Sequence, residues 1–90
     1  MLSQSITIHN PRGIHLRPTT LILAARNRYR TTMVWLTREN GARVAMDSSL
    51  DLLGMGLTAG TQLTLETNGP DEITCASELA ELLQKTYDFH

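Results

Sequence analysis

Cysteine is almost missing from this chain: Cys75 is the only one in 90 residues. A lone thiol excludes an internal disulfide and a thiolate metal cluster. Aromatic residues supply only 4% of the sequence, too few to pave a sheet for stacked bases, and no glycine-rich backbone clamp occurs. Neither sign of charge dominates, with 8 Lys and Arg against 9 Asp and Glu and a net charge of −1. That balance gives no general affinity for nucleic acid or an anionic membrane. No apolar run approaches the roughly 20 residues that span a bilayer. The N-terminus lacks the basic-then-apolar pattern of a signal peptide. A cytoplasmic protein is expected, with no membrane insertion and no nucleic-acid partner.

What is present suits one small core. Hydrophobic residues make up 41% of the chain and charged residues 19%, which argues for a folded domain rather than disorder. Repeats, low-complexity tracts and linkers are lacking, so residues 1–90 are expected to form a single domain.

Residues 5–9 alternate polar and apolar side chains, as a half-buried strand does, and Asn10-Pro11-Arg12-Gly13 breaks the run with turn chemistry. Over residues 16–28, Pro18, Leu21, Ile22 and Ala25 follow helical spacing, with Tyr29 closing the face. Residues 31–37 are β-branched and aromatic and predict a strand. Either Met33 with Trp35 or Val34 with Leu36 faces its core; alternation admits both. Asn40-Gly41 is a two-residue hairpin signal, with residues 42–46 as the returning strand.

Residues 47–54 predict a short helix, with Asp47 or Ser48 as N-cap and Gly54 or Gly56 at its end. Ala59-Gly60 turns into a clean alternation over residues 61–67. Gly69-Pro70-Asp71-Glu72 then opens a last helix, with proline near its first position and acids in its first turn. Cys75, Ala76, Leu79, Leu82 and Leu83 form its apolar stripe. The element order β-α-β-β-α-β-α predicts an α+β fold, with helices covering one face of a mainly antiparallel sheet. Arg26, Arg28 and Arg30 follow the first helical run, and their plain reading is a solvated helix end that favours the dipole.

The stretch Gly13-Ile14-His15-Leu16-Arg17-Pro18 carries the chemistry. Proline is favoured in the first turn of a helix, where its missing N–H costs nothing. This places His15 at a helix start, beside N–H groups without intrahelical partners. With the helix dipole and Arg17 they make an anion site. An imidazole has an ordinary pKa of about 6.5, so much of it is neutral and nucleophilic at physiological pH. The combination points to a histidine that carries phosphate. The plain alternative is a histidine that merely occupies a helix start next to an arginine. His9 and His90 lack such a setting and are expected at the surface, and no metal or other cofactor is implied.

Read together, these segments resemble the HPr phosphocarrier proteins of the bacterial phosphoenolpyruvate-dependent phosphotransferase system. Residues 10–18 look like the family's active-site loop, with His15 at the phosphorylated position. Residues 48–60, SSLDLLGMGLTAG, look like its second signature, and Gly69-Pro70-Asp71-Glu72 opens the last helix as in the family. The resemblance implies an open-faced β-sandwich, with a four-stranded antiparallel sheet and helices on one face. It also implies a function: phosphate accepted from phospho-Enzyme I on Nδ1 of His15 and donated to an EIIA-type domain.

Phosphoryl transfer asks the carrier mainly for positioning and charge stabilisation. The phosphate-binding set would be Leu16, Arg17 and Pro18, with backbone N–H groups from Leu16 and Arg17 and a forked cation from Arg17. By the same resemblance, Leu16, Thr20, Ser49, Leu50, Leu53 and Gly54 match the partner-docking patch, whereas Leu52 and Leu57 suit the core. Ser48 matches a position that some relatives phosphorylate for regulation. Here Asp47 and Asp51 stand where lysine is often found, and Ser48 also suits an N-cap.

Other departures are Ala24 and Asn27 at usually basic positions, Arg26 at a usually small one, and about two extra residues in the hairpin near positions 37–39. A docking face less basic than usual alters partner choice and association rate, which suggests a specialised paralogue. A monomeric carrier, not a turnover enzyme, is expected. The alternatives are a regulatory module of the same fold that acts by docking to an enzyme or regulator, and a small nucleic-acid-binding domain. The slight negative charge and scarce aromatics disfavour the latter.

Overall fold

Side-chain alternation decides which face of each strand is buried. In the computed structural model, which describes residues 1–11, 13–14 and 16–86 and only the backbone of Leu16, Arg17, Ser49 and Leu50, four strands form one sheet. β1 (Leu2–Thr7), β2 (Met33–Arg38), β3 (Arg43–Ala45) and β4 (Gln62–Asn68) lie in the order β1-β4-β2-β3, with each neighbouring pair antiparallel. The register sets Ile6 opposite Leu63, Leu36 opposite Leu65 and Val34 opposite Thr67, and all six are buried. Val34 and Leu36 therefore face the core. Met33 is 51% exposed on the other face, where Ser3, Ser5 and Trp35 also lie and none of the described helices covers the sheet.

The helices α1 (Leu16–Asn27), α2 (Ser49–Gly54) and α3 (Glu72–Gln84) complete the order strand, helix, strand, strand, helix, strand, helix. This is the expected open-faced α+β arrangement. On α3 the buried residues Cys75, Ala76, Leu79, Ala80 and Leu83 pack towards β1 and β4. Leu82 is only partly buried. The buried side of α1 is Pro18, Thr19, Ile22, Ala25 and Arg26, whereas Leu21 is 46% exposed. The apolar face is thus turned from the one expected: Leu21 falls at the edge opposite Thr19 and Arg26 on the 3.6-residue period.

Three further expectations are corrected. The Asn40-Gly41 hairpin is not a two-residue turn. The N–H of Arg38 donates to Ala42 O at 2.8 Å and that of Gly41 to Arg38 O at 2.9 Å, leaving residues 39–41 as the loop. Within this loop only Gly41 has positive φ, at 89°; Glu39 and Asn40 do not. A two-residue type I′ turn needs positive φ at both central positions, whereas a three-residue loop needs it only at the glycine.

Pro70 lies before the N-cap Asp71 rather than inside α3, and Asp71 makes no side-chain capping bond. The N–H of Asp71 is instead taken by Thr32 Oγ1 at 3.2 Å. Finally, Arg26 is not solvated: it is 8% exposed. Its Nε donates to Met46 O and its Nη1 to Tyr29 O, both at 3.0 Å.

Leu65 is fully buried at the centre of the sheet, flanked by β1 and β2. Leu65→Ala is expected to lower the unfolding free energy by about 2–5 kcal/mol, through lost transfer energy and an unfilled cavity. Urea unfolding checks this; a loss below about 1 kcal/mol would mean that the core around β4 is not close-packed.

Candidate functional site

The loop before α1 is fixed by turn chemistry and by one carbonyl. Asn10-Pro11-Arg12-Gly13 carries asparagine first, proline second and glycine fourth, the preference of a type I turn. The N–H of Gly13 donates to Asn10 O at 2.8 Å. Asn10 is fully buried, and its Nδ2 donates to Gly13 O at 2.7 Å.

Gly13 has φ of 69° and sits hard against the chain after α2. A Cβ there would overlap Leu57 O and come 3.0 Å from Thr58 Cα. The N–H of Ile14 donates to that same Leu57 O at 2.8 Å, and the Ile14 side chain is buried. The helix α1 then begins at Leu16. The chain is therefore anchored on both sides of position 15, while His15 and Arg12 lie outside the described residues.

The first turn of α1 supplies what an anion needs. Leu16 and Arg17 occupy its first two positions, where N–H groups have no intrahelical acceptor. Pro18 has no N–H and is buried, so it shapes the turn rather than donating. No acidic residue stands in this turn, leaving the positive end of the dipole uncompensated. Thr19, buried one step further on, keeps its hydroxyl without a hydrogen-bond partner.

The neighbouring helix carries the rest of the expected surface. α2 packs against α1. Thr20 is exposed on α1, while Leu53 is half-buried and Gly54 exposed on α2. Ser49 and Leu50 fall in the first turn of α2 by backbone position. Leu52 and Leu57 are buried.

Ser48 is the N-cap of α2, and its Oγ accepts from Asp51 N at 3.3 Å. Asp47 and Asp51 flank it, so negative charge already stands at this helix start. His9 is exposed, whereas His90 lies outside the described residues. Among the described residues no cluster of His, Cys, Asp or Glu could hold a metal. None of their helices is long and apolar enough to cross a membrane. Burial pushes the Cys75 thiol up, with Arg26 opposing the shift and Asp71 adding to it, so it is held protonated and inert.

The sequence reading missed Asn10 as the pin of the loop, treating it only as a turn residue. The pattern Asn-Pro-x-Gly held the signal. Arg26 was missed because an arginine after an apolar stripe normally reads as solvent-facing.

Gly13→Ala is expected to cost about 1–3 kcal/mol, because an L side chain at positive φ also strikes the Leu57 carbonyl. The variant should lose amide-exchange protection at Ile14 first. An unchanged melting temperature with Ile14 still protected would mean that Leu57 O does not hold the loop.

Comparison with known proteins agrees with this geometry. A family model described as the PTS HPr component phosphorylation site matches residues 2–85. The phosphocarrier protein HPr of Treponema pallidum is 30% identical over 88 residues, covering 98% of both chains. The HPr-like protein Crh of Bacillus subtilis is 29% identical over 85 residues, or 94% of this chain and 98% of Crh. Among solved structures, HPr-C-His from Thermoanaerobacter tengcongensis superposes with a TM-score of 0.83 at 25% identity, covering 92% of this chain and 91% of that one. With its fold, its loop and these relatives in agreement, this chain belongs to the HPr family of phosphocarrier proteins of the phosphotransferase system.

Proposed function

We infer that His15 takes phosphate on Nδ1 from phospho-Enzyme I and passes it to an EIIA-type domain. The observation that supports this best is the anchoring around position 15. Ile14 is tied to Leu57 O at 2.8 Å on one side, and a helix start without acids begins at Leu16 on the other. In the transfer, a lone pair of the neutral imidazole attacks phosphorus as the bond to the donor's phosphohistidine breaks. Reversal of the same step delivers the phosphate onward. The N–H groups of Leu16 and Arg17 and the positive charge of Arg17 would balance the charge on the three phosphoryl oxygens. A site of N–H groups and one arginine stabilises the phosphate without locking it, as a relay requires.

The protein is a substrate of the enzymes on either side rather than a catalyst that turns over. Leu16, Thr20, Ser49, Leu50, Leu53 and Gly54 are its docking patch, and one copy is the working unit. Ser48 acts as a helix cap in this reading. A phosphate on its Oγ would sit between Asp47 and Asp51, where like charges oppose it.

A second reading is favoured by one observation, the similarity to Crh over nearly the whole of both chains. Solved Crh is described as a catabolite-repression protein that forms a swapped dimer. A Crh-like role would make this chain a regulator that acts by docking, with the same surface in use.

Incubation with phosphoenolpyruvate and Enzyme I, followed by intact mass and acid-lability analysis, separates the two. The carrier should gain one acid-labile phosphate, and His15→Ala should gain none while unfolding at nearly the same temperature. Uptake that persists in His15→Ala would remove His15 as the acceptor. A folded wild-type protein that takes no phosphate would favour the docking regulator.

A further inference from the structure

α2 has only six residues, and a helix this short does not hold itself together in water. Its own sequence supports its start, with the Ser48 cap and the acid Asp51 in the first turn. The N–H groups of Met55 and Gly56 close its end on Leu52 O and Leu53 O, at 3.3 and 3.2 Å, but no basic residue stands in its last turn to answer the negative end of the dipole. Two arginines from elsewhere in the fold reach its two ends.

Arg26, buried on α1, donates from Nε to Met46 O at 3.0 Å, and its Nη2 lies 3.6 Å from Asp47 Oδ1. These are the two residues that lead into the Ser48 cap. Its Nη1 is spent on Tyr29 O at 3.0 Å, so the fork is braced against the end of its own helix. Arg38, half-buried at the end of β2, donates from Nη1 to Met55 O, the carbonyl of the α2 C-cap residue. One guanidinium holds the entry of the segment and the other its exit.

We propose that Arg26 and Arg38 are positioning residues that hold residues 46–55 from both ends, so that α2 meets a protein partner already ordered. The proposal rests on the reading of α2 as docking surface. Ordering a surface before encounter removes a fraction of incompetent conformers, and apparent affinity rises by that fraction. Neither arginine belongs to the phosphate site, so their loss acts on docking and not on the transfer step.

The test uses the full chain with Arg38→Met and Arg26→Lys. The second keeps the charge but loses the fork, so it remains folded where a neutral side chain at position 26 would leave Met46 O and Tyr29 O unpaired. In Arg38→Met, amide exchange at residues 52–56 should quicken about tenfold, as the loss of a charge-assisted hydrogen bond implies. The KM of the variant as a substrate of phospho-Enzyme I should rise about twofold, with kcat unchanged. The rise should persist at high salt, where a direct charge contact with the partner would be screened. Arg26→Lys should change exchange and KM in the same direction.

Unchanged exchange would overturn the proposal, because the arginines would not be holding the segment. Faster exchange with an unaltered KM, a KM effect abolished by salt, or a fall in kcat alone would overturn it as well. Failure of the wild-type protein to take phosphate would count against the carrier reading instead, and the exchange rates would still decide whether the two arginines hold α2.

Discussion

The carbonyl oxygen of Leu57 is the point on which the site depends. It accepts the N–H of Ile14 at 2.8 Å and lies directly beneath Gly13, where no Cβ could fit. One backbone atom thus joins the loop before α1 to the segment after α2. Leu57 itself is buried, so the carbonyl is fixed by the core and cannot drift with the surface. The arrangement requires a residue at position 13 with φ of 69° and no side chain, which glycine meets without strain. From there the chain enters α1 with Ile14 already in the core, and the direction of the first helical turn follows.

Most of this order could be read from the sequence because the signals were local. Alternation marked the strand at residues 61–67, β-branched and aromatic composition the one at 31–37, Asn10-Pro11 the turn, and Asp47 or Ser48 the cap. The resemblance of residues 10–18 and 48–60 to a known family tied those segments to a shared function. The contacts that span the fold were not legible in the same way. Whether Val34 or Met33 faced inward depended on pairing with Leu65 and Thr67 of β4. Leu21 looked like core on spacing alone, but α1 presents Thr19 and Arg26 instead. The hairpin at Asn40-Gly41 was mistaken by one residue because Glu39 joins the loop, a matter of register rather than composition.

The arginines illustrate the same division. Arg26, Arg28 and Arg30 form one cluster in the sequence, yet the first two have separate roles in the fold. Arg28 pairs with Glu78 on α3, which also accepts from Tyr29 Oη at 2.5 Å. Arg26 turns inward to carbonyls. A buried guanidinium is tolerable only when its donors find acceptors in fixed positions, and the ends of α1 and β3 provide them. Charge that looks like solubility in one dimension acts as bracing in three. If α2 is the docking surface, the acids Asp47 and Asp51 beside it would select the partner more than raise its affinity.

The central claim is that the start of α1 receives a phosphate carried on His15. Amide chemical shifts measured before and after phosphorylation by Enzyme I test it most directly. The account predicts a phosphoimidazole signal for Nδ1 of His15, with the largest downfield amide shifts at Leu16 and Arg17, whose N–H groups would bond the phosphate. A phosphate found elsewhere, or on His15 with those two amides unmoved, would contradict it.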